Sequence, residues 1–195
     1  ASLGLYGLEA SFAASHRDWL QQRPDGSVIE DARLRVPAAC PNNADFRSWA
    51  AQLVRDLARC PVHGVCLEGP AFLPHGCWCP ACSARFQERL GKALPARENW
   101  DDAAWKEFLE FRYDSVADFL GEMRGALRKV RTDAPLTSRD PDTVEGWASG
   151  RDPRRLAHHQ DLLYAAVTPE AGSRGPWAAS LEAARLAARS PGRPL

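Results

Sequence analysis

The sequence predicts an α/β fold built on a parallel sheet. Three observations predict it. Short apolar runs bounded by turn residues alternate along the chain with longer segments whose apolar residues recur every three or four positions. The run at 62–67 (VHGVCL) lies between Pro61 and Gly69-Pro70 and has the pattern of a strand buried in a parallel sheet. Each such run is preceded or followed by a helical segment, which is the signature of βαβ units.

Residues 3–12 (LGLYGLEASF) are aliphatic and aromatic with loose alternation, and predict a first strand. Arg23-Pro24-Asp25-Gly26 is a turn signal, and 27–43 carry no regular pattern. Over 44–59 the residues Phe46, Trp49, Ala50, Leu53, Val54 and Leu57 form one apolar stripe, so a helix is expected with Asn42 or Asn43 as its N-cap. The strand at 62–67 follows, then a loop over 68–80. A helix is predicted over 80–90, with Pro80 at its start and Gly91 at its end. A long helix is predicted over 101–131, with the stripe Trp105, Phe108, Leu109, Val116, Phe119, Leu120, Met123, Leu127 and Val130. Asp101 and Asp102 favour its start, and Arg128, Lys129 and Arg131 its end. A brief strand at 135–138, a short helix at 153–159, a strand at 161–168 (DLLYAAVT) and a last helix at 176–189 complete the pattern.

Composition narrows the function. Of 195 residues, 25 are Lys or Arg and 25 are Asp or Glu, so the formal net charge is zero and there is no general attraction to nucleic acid or anionic lipid. No run of about 18 apolar residues exists, so no membrane span is expected, and no signal-peptide pattern opens the chain. One domain is expected over 1–195, with a metal-binding loop at about 68–82. A nucleotide-phosphate loop, GxGxxG and GxSxG are all missing from the sequence.

The six cysteines include Cys77, Cys79 and Cys82 within six residues, a spacing that suits a tetrahedral metal better than three disulfides. A cysteine set of this kind points to a reducing compartment, and cytoplasmic residence is the expectation. Three thiolates need a fourth ligand, and Cys40, Cys60, Cys66, His63 and His75 are candidates. Cys66 lies in an apolar strand and Cys60 at a helix end, where each can serve as a small core residue. Cys40 lies in a loop from which a ligand can reach.

Glu68 ends an apolar strand. In parallel α/β sheets, acids at the carboxyl ends of strands point into the ligand crevice, although an ordinary solvated glutamate would look the same in sequence. Glu9 falls near the end of the first predicted strand and Glu170 just after the strand at 161–168, and both are candidates for the same mouth. His16, Arg17 and Trp19 form a polar-aromatic group suited to a sugar, since Trp stacks on its apolar face while Arg and His donate to hydroxyls. Trp19 can equally pack under a loop. The His158-His159 pair reads as solvated helix-end residues.

Several segments together resemble a known family: CPNN at 40–43, VHGVCLEGP at 62–70, HGCWCPACSARF at 75–86, and LPARENWDDAAWKEFLEFRYDSVADFL at 94–120. They are similar to glycosyl hydrolases related to the family 42 beta-galactosidases, in particular the hypothetical glycosyl hydrolase family 6 group. The similarity runs over most of residues 1–170. It implies a (β/α)8 TIM barrel, present here in part, from about the third strand to the sixth. It implies Glu68 as the general acid/base at the end of the fourth barrel strand. It also implies a structural zinc held by Cys40, Cys77, Cys79 and Cys82, and so chooses Cys40 from the open candidates. Leu67 stands where the family 42 enzymes have Asn, and Glu68 where many of the hypothetical group have Asp. The family takes its nucleophile from the seventh strand, and no residue here matches that motif. The expected activity is hydrolysis of a beta-galactoside-type or related glycosidic bond, with carbohydrate as the partner and a homo-oligomer possible in such relatives. The alternative is a catalytically incomplete, zinc-stapled domain that binds carbohydrate or protein.

Overall fold

In the computed structural model, the described residues are 1–162, apart from 33, 75 and 140–145, together with Ala184. The elements are β1 (Ser2–Gly4), α1 (Ala10–Ser15), a 3-10 turn (Arg17–Trp19), α2 (Ala44–Ala58), β2 (Val65–Glu68), α3 (Pro80–Leu90), α4 (Ala103–Arg128), β3 (Leu136–Arg139), α5 (Gly146–Ser149) and α6 (Pro153–Ala157).

The three strands form one parallel sheet in the order β1-β2-β3. Registered pairs set its two faces, because alternate residues of a strand point to opposite sides. Leu3, Leu67 and Ser138 form one row, with Val65 and Leu136 beside it. This face packs on α2 and α4 in a core that includes Phe46, Val54, Val116, Phe119, Leu120, Met123 and Leu127. Truncating any one of the larger rings or chains there to Ala is expected to cost about 2–5 kcal/mol in denaturant unfolding. The other face carries Ser2, Gly4, Cys66, Glu68, Thr137 and Arg139, all of them exposed or half-buried. A strand buried on both sides was expected for 62–67. The observed strand, V-C-L-E, is covered by helices on one side only.

The helices follow their sequence signals. Asn43, rather than Asn42, caps α2 by accepting from Phe46 N at 2.8 Å. Pro80 opens α3, and Gly91 closes it in the left-handed region at φ 67°. Asp102 caps α4 by accepting from Ala104 N at 2.9 Å. The strand at 62–67 is displaced to Val65–Glu68, because Val62 N turns back onto Cys60 O at 2.8 Å before the ladder starts.

The strand expected over 3–12 is corrected. Pairing as a strand ends at Gly4, with one further ladder bond from Leu5 N to Glu68 O at 2.9 Å. The Glu9 carboxylate then accepts from Ser11 N and Phe12 N and starts α1. The apolar residues that suggested a strand, Leu5, Tyr6 and Leu8, are buried in the connection instead. The segment over 27–43, expected to be irregular, is stitched by isolated antiparallel bridges, Gln22 to Val28 and Glu30 to Pro37 among them. The strand expected at 161–168 lies outside the described residues beyond Leu162, as does the helix at 176–189. The first residue of that strand does lie beside β3, where Asp161 N donates to Leu136 O at 2.8 Å.

Asp161 is a latch. Its carboxylate accepts from Leu136 N at 2.9 Å, from Arg124 at 2.9 Å and from Arg128 at 3.0 Å. Partial burial opposes its charge, but the Leu136 amide and the two guanidiniums outweigh this and hold its carboxyl below the usual range. A depressed folded pKa contributes stability that is present above the ordinary carboxylate value, near 3.9, and is lost as pH falls through the folded value. Asp161→Asn should therefore lower the thermal midpoint at pH 7, and the gap to wild type should close below about pH 4. A gap that stays constant from pH 7 to pH 3 would remove the latch.

Candidate functional site

β2 delivers Glu68 to the carboxyl end of the central strand, on the face turned away from the helices. Its carboxylate accepts from Ser2 Oγ at 2.7 Å, and Arg139 is its registered neighbour on β3. Cys66 lies two residues back on the same face, where partial burial and the Glu68 charge push its thiol pKa up. Gly69 follows at φ 90°, and a Cβ there would meet the Tyr6 backbone at 3.3 Å, so only glycine fits this exit from the strand.

The loop after Glu68 is irregular and buried at 69–73 and again at 76–77. Its polar groups must find partners. Arg151 Nη1 donates to Pro70 O at 2.8 Å, and Arg151 Nη2 to Ser138 Oγ at 2.8 Å. Phe72 N donates to Ser149 O at 2.8 Å. Gln21, wholly buried, joins three segments: its Nε2 donates to Ala39 O and Ala71 O, each at 2.9 Å, and its Oε1 accepts from Leu73 N at 2.8 Å. Gln21, Arg112 and Arg151 were not among the sequence candidates.

Cys40, Cys77, Cys79 and Cys82 converge at the end of this loop. All four are buried, and their sulfurs lie within 4.8 Å of one another. Cys40 Sγ is 3.4 Å from Cys82 Sγ and 3.5 Å from Cys79 Sγ. That is far beyond a disulfide bond of about 2.05 Å. It is close to the roughly 3.8 Å edge of a tetrahedron with metal–sulfur bonds of about 2.3 Å. Amides point at the sulfurs: Asn42 N to Cys40 at 3.4 Å, Asn42 Nδ2 to Cys82 at 3.3 Å, Gln22 N to Cys77 at 3.4 Å and Cys79 N to Cys77 at 3.5 Å. The two asparagines before α2 thus divide their work, one capping the helix and the other facing the cysteines. Burial pushes the Cys40 and Cys82 thiols well up, while hydrogen bonds from the other three thiols hold Cys79 far below its ordinary value. Four converging sulfurs with amide donors around them fit a tetrahedral thiolate metal, zinc or iron. Cys60 is exposed and Cys66 sits in β2, and neither is in the cluster. His75 lies outside the described residues.

The other candidates are placed as follows. Glu9 is exposed, and its carboxylate is held below the usual range by the Ser11 hydroxyl and by the Ser11 and Phe12 amides. His16 Nδ1 lies 2.9 Å from Phe12 O, and its ring stacks on Phe12 with centroids 4.3 Å apart. Trp19 packs against Phe46 and Trp49 at 5.8 and 5.6 Å, and its carbonyl accepts from Cys40 N at 2.7 Å. It braces the core beside the cluster, which is the packing role rather than the sugar-stacking one. Arg17 is exposed in the 3-10 turn. Glu170 lies outside the described residues.

No family model matches the sequence, and no curated protein matches it. Solved structures do match. The glycoside hydrolase domain of PgaB (BpsB) from Bordetella bronchiseptica is 14% identical, with a TM-score of 0.70 over 97% of this chain and 56% of that one. A beta-galactosidase from the haloarchaeon Halorubrum lacusprofundi is 15% identical, with a TM-score of 0.68 over 87% of this chain and 30% of that one. A beta-galactosidase from Bacillus circulans sp. alkalophilus is 18% identical, with a TM-score of 0.63 over 86% and 30%. The chain therefore shares the fold of part of these glycoside hydrolases and spans about a third of the length of the beta-galactosidases. Its three parallel strands and their helices are consistent with a section of a barrel. Among the described residues, no helix is long and apolar enough to cross a membrane.

Replacing Gln21 by Leu strips partners from Ala39 O, Ala71 O and Leu73 N at once. The expected loss is about 2–4 kcal/mol in urea denaturation. A loss below about 0.5 kcal/mol would show that the bridges are dispensable.

Proposed function

We propose that this chain is part of a glycosidase-type (β/α)8 barrel, covering about strands three to six, that cleaves a beta-galactoside-type or related glycosidic bond. The observation that carries the reading is Glu68. It ends the central parallel strand, faces away from the helices, and leads directly into a loop anchored at a four-cysteine cluster. The beta-galactosidase and PgaB structures supply the fold-level support.

In this reading Glu68 protonates the glycosidic oxygen as the bond breaks and then takes a proton from the attacking water. The partner carboxylate comes from a later strand of the barrel. Ser2 Oγ orients one carboxylate oxygen. Cys40, Cys77, Cys79 and Cys82 hold zinc, whose four thiolates leave no open position for substrate. The metal supplies rigidity to the loop that follows Glu68.

Two measurements test this. Metal analysis of the purified protein should find about one zinc per chain, and Cys40→Ser should lower that toward zero. Wild type without zinc or other metal would end the metal reading. On aryl glycosides, Glu68→Gln in the intact protein should lower kcat by about 10²- to 10⁴-fold with little change in thermal midpoint. Equal rates would remove Glu68 from the chemistry. Sugar binding without turnover in the intact wild-type protein would indicate the zinc-stapled binding domain instead.

A further inference from the structure

Arg112 is an unusual residue for its place. It lies on α4 with 1% of its surface exposed, between Phe72 and Phe108. Its guanidinium carbon stands 4.9 Å from the centre of the Phe72 ring and 5.7 Å from that of Phe108. Nη2 donates to two backbone carbonyls, Leu73 O at 3.4 Å and Ala148 O. Nε has no hydrogen-bond partner. Among the described residues, no carboxylate forms an ion pair with it. An unpaired buried cation costs several kcal/mol, and burial, opposed in part by nearby groups, pushes this guanidinium pKa down to about 10. Bonding two carbonyls requires only N–H groups, so those bonds do not explain a charge at this position.

Geometry connects Arg112 to the cysteine cluster, and negative charge on Cys82 or Cys77 would act against the effect of burial on its guanidinium. Leu73 O, which accepts from Arg112, also accepts from Gly76 N at 3.1 Å, closing the turn that presents Cys77. Phe86, one turn beyond Cys82 on α3, packs edge-on against Phe111 at 5.2 Å. A dication on four thiolates leaves net negative charge in a buried site, and amide donors alone answer only part of it.

We propose that Arg112 is the buried counter-cation of the four-cysteine metal centre. Through the Leu73 and Ala148 carbonyls it links the charge of that centre to the loop that follows β2 and to α5. The inference rests on the metal reading above. It makes Arg112 a positioning residue for the metal site and gives it no part in the reaction itself.

The test compares wild type with Arg112→Gln, which keeps an N–H donor but loses the charge, and Arg112→Lys, which keeps the charge. Zinc affinity is read by competition with a chromophoric chelator, and the stability of the metal-free form by urea denaturation in EDTA. Arg112→Gln should bind zinc about 10- to 100-fold more weakly. Its metal-free form should be at least as stable as metal-free wild type, because the unanswered charge is gone. Arg112→Lys should stay within about threefold of wild type in affinity. Unchanged affinity in Arg112→Gln overturns the proposal, and so does an equal loss of stability with and without metal, which marks a purely structural arginine. Should Arg112→Gln fail to fold, a tenfold loss in Arg112→Lys overturns it independently. Wild type that binds no zinc overturns the metal reading and this inference together. Tight wild-type binding with an indifferent Arg112→Gln overturns this inference alone.

Discussion

A loop buried inside a protein has to replace every hydrogen bond that water would have given its peptide groups. The segment after Glu68 meets that constraint with side chains drawn from across the chain. Gln21 reaches it from the connection after β1, Arg112 from α4, and Arg151 from between α5 and α6. Its far end meets the start of α2 and α3 where the four cysteines converge. The position of Glu68 follows from this arrangement. Its strand is only four residues long, so the ladder alone fixes little of what comes after it.

The sheet has two different chemistries on its two faces, and alternation along each strand produces them. Val65 and Leu67 bury against α2 and α4, while Cys66 and Glu68 face the other way beside Thr137 and Arg139. In a closed barrel that second face turns inward, and polar groups near the strand ends then sit at the mouth. The same alternation that gives the helices a core therefore also gives the acid its direction.

The parts of this fold with local causes were legible in the sequence. α3 begins at Pro80 and ends at Gly91 because both residues act through their own backbone, and α2 announced itself by its stripe and cap. The clustering of Cys77, Cys79 and Cys82 was visible for the same reason, whereas Cys40 needed a family resemblance because 36 residues of chain separate it from Cys77. β1 was overestimated because Leu5, Tyr6 and Leu8 are buried by tertiary packing, which leaves the same apolar trace as a strand. Gln21 and Arg151 were invisible, since a buried polar residue is defined by partners far away in sequence. Arg112 did leave a trace: the stripe on α4 runs from Phe108 to Val116 with a charged residue at the position between them.

The length of α4 has a consequence for how the molecule moves. At about 1.5 Å per residue its 26 residues span roughly 39 Å. Arg112 in its first half holds the loop after β2 and α5, and Arg124 and Arg128 in its last turns hold Asp161 at the opposite end of β3. One helix therefore ties the loop after β2 to the Asp161 end of β3. Gly121 and Gly125 are its weakest turns, so bending strain would collect there, next to the His159 ring that packs against Gly121.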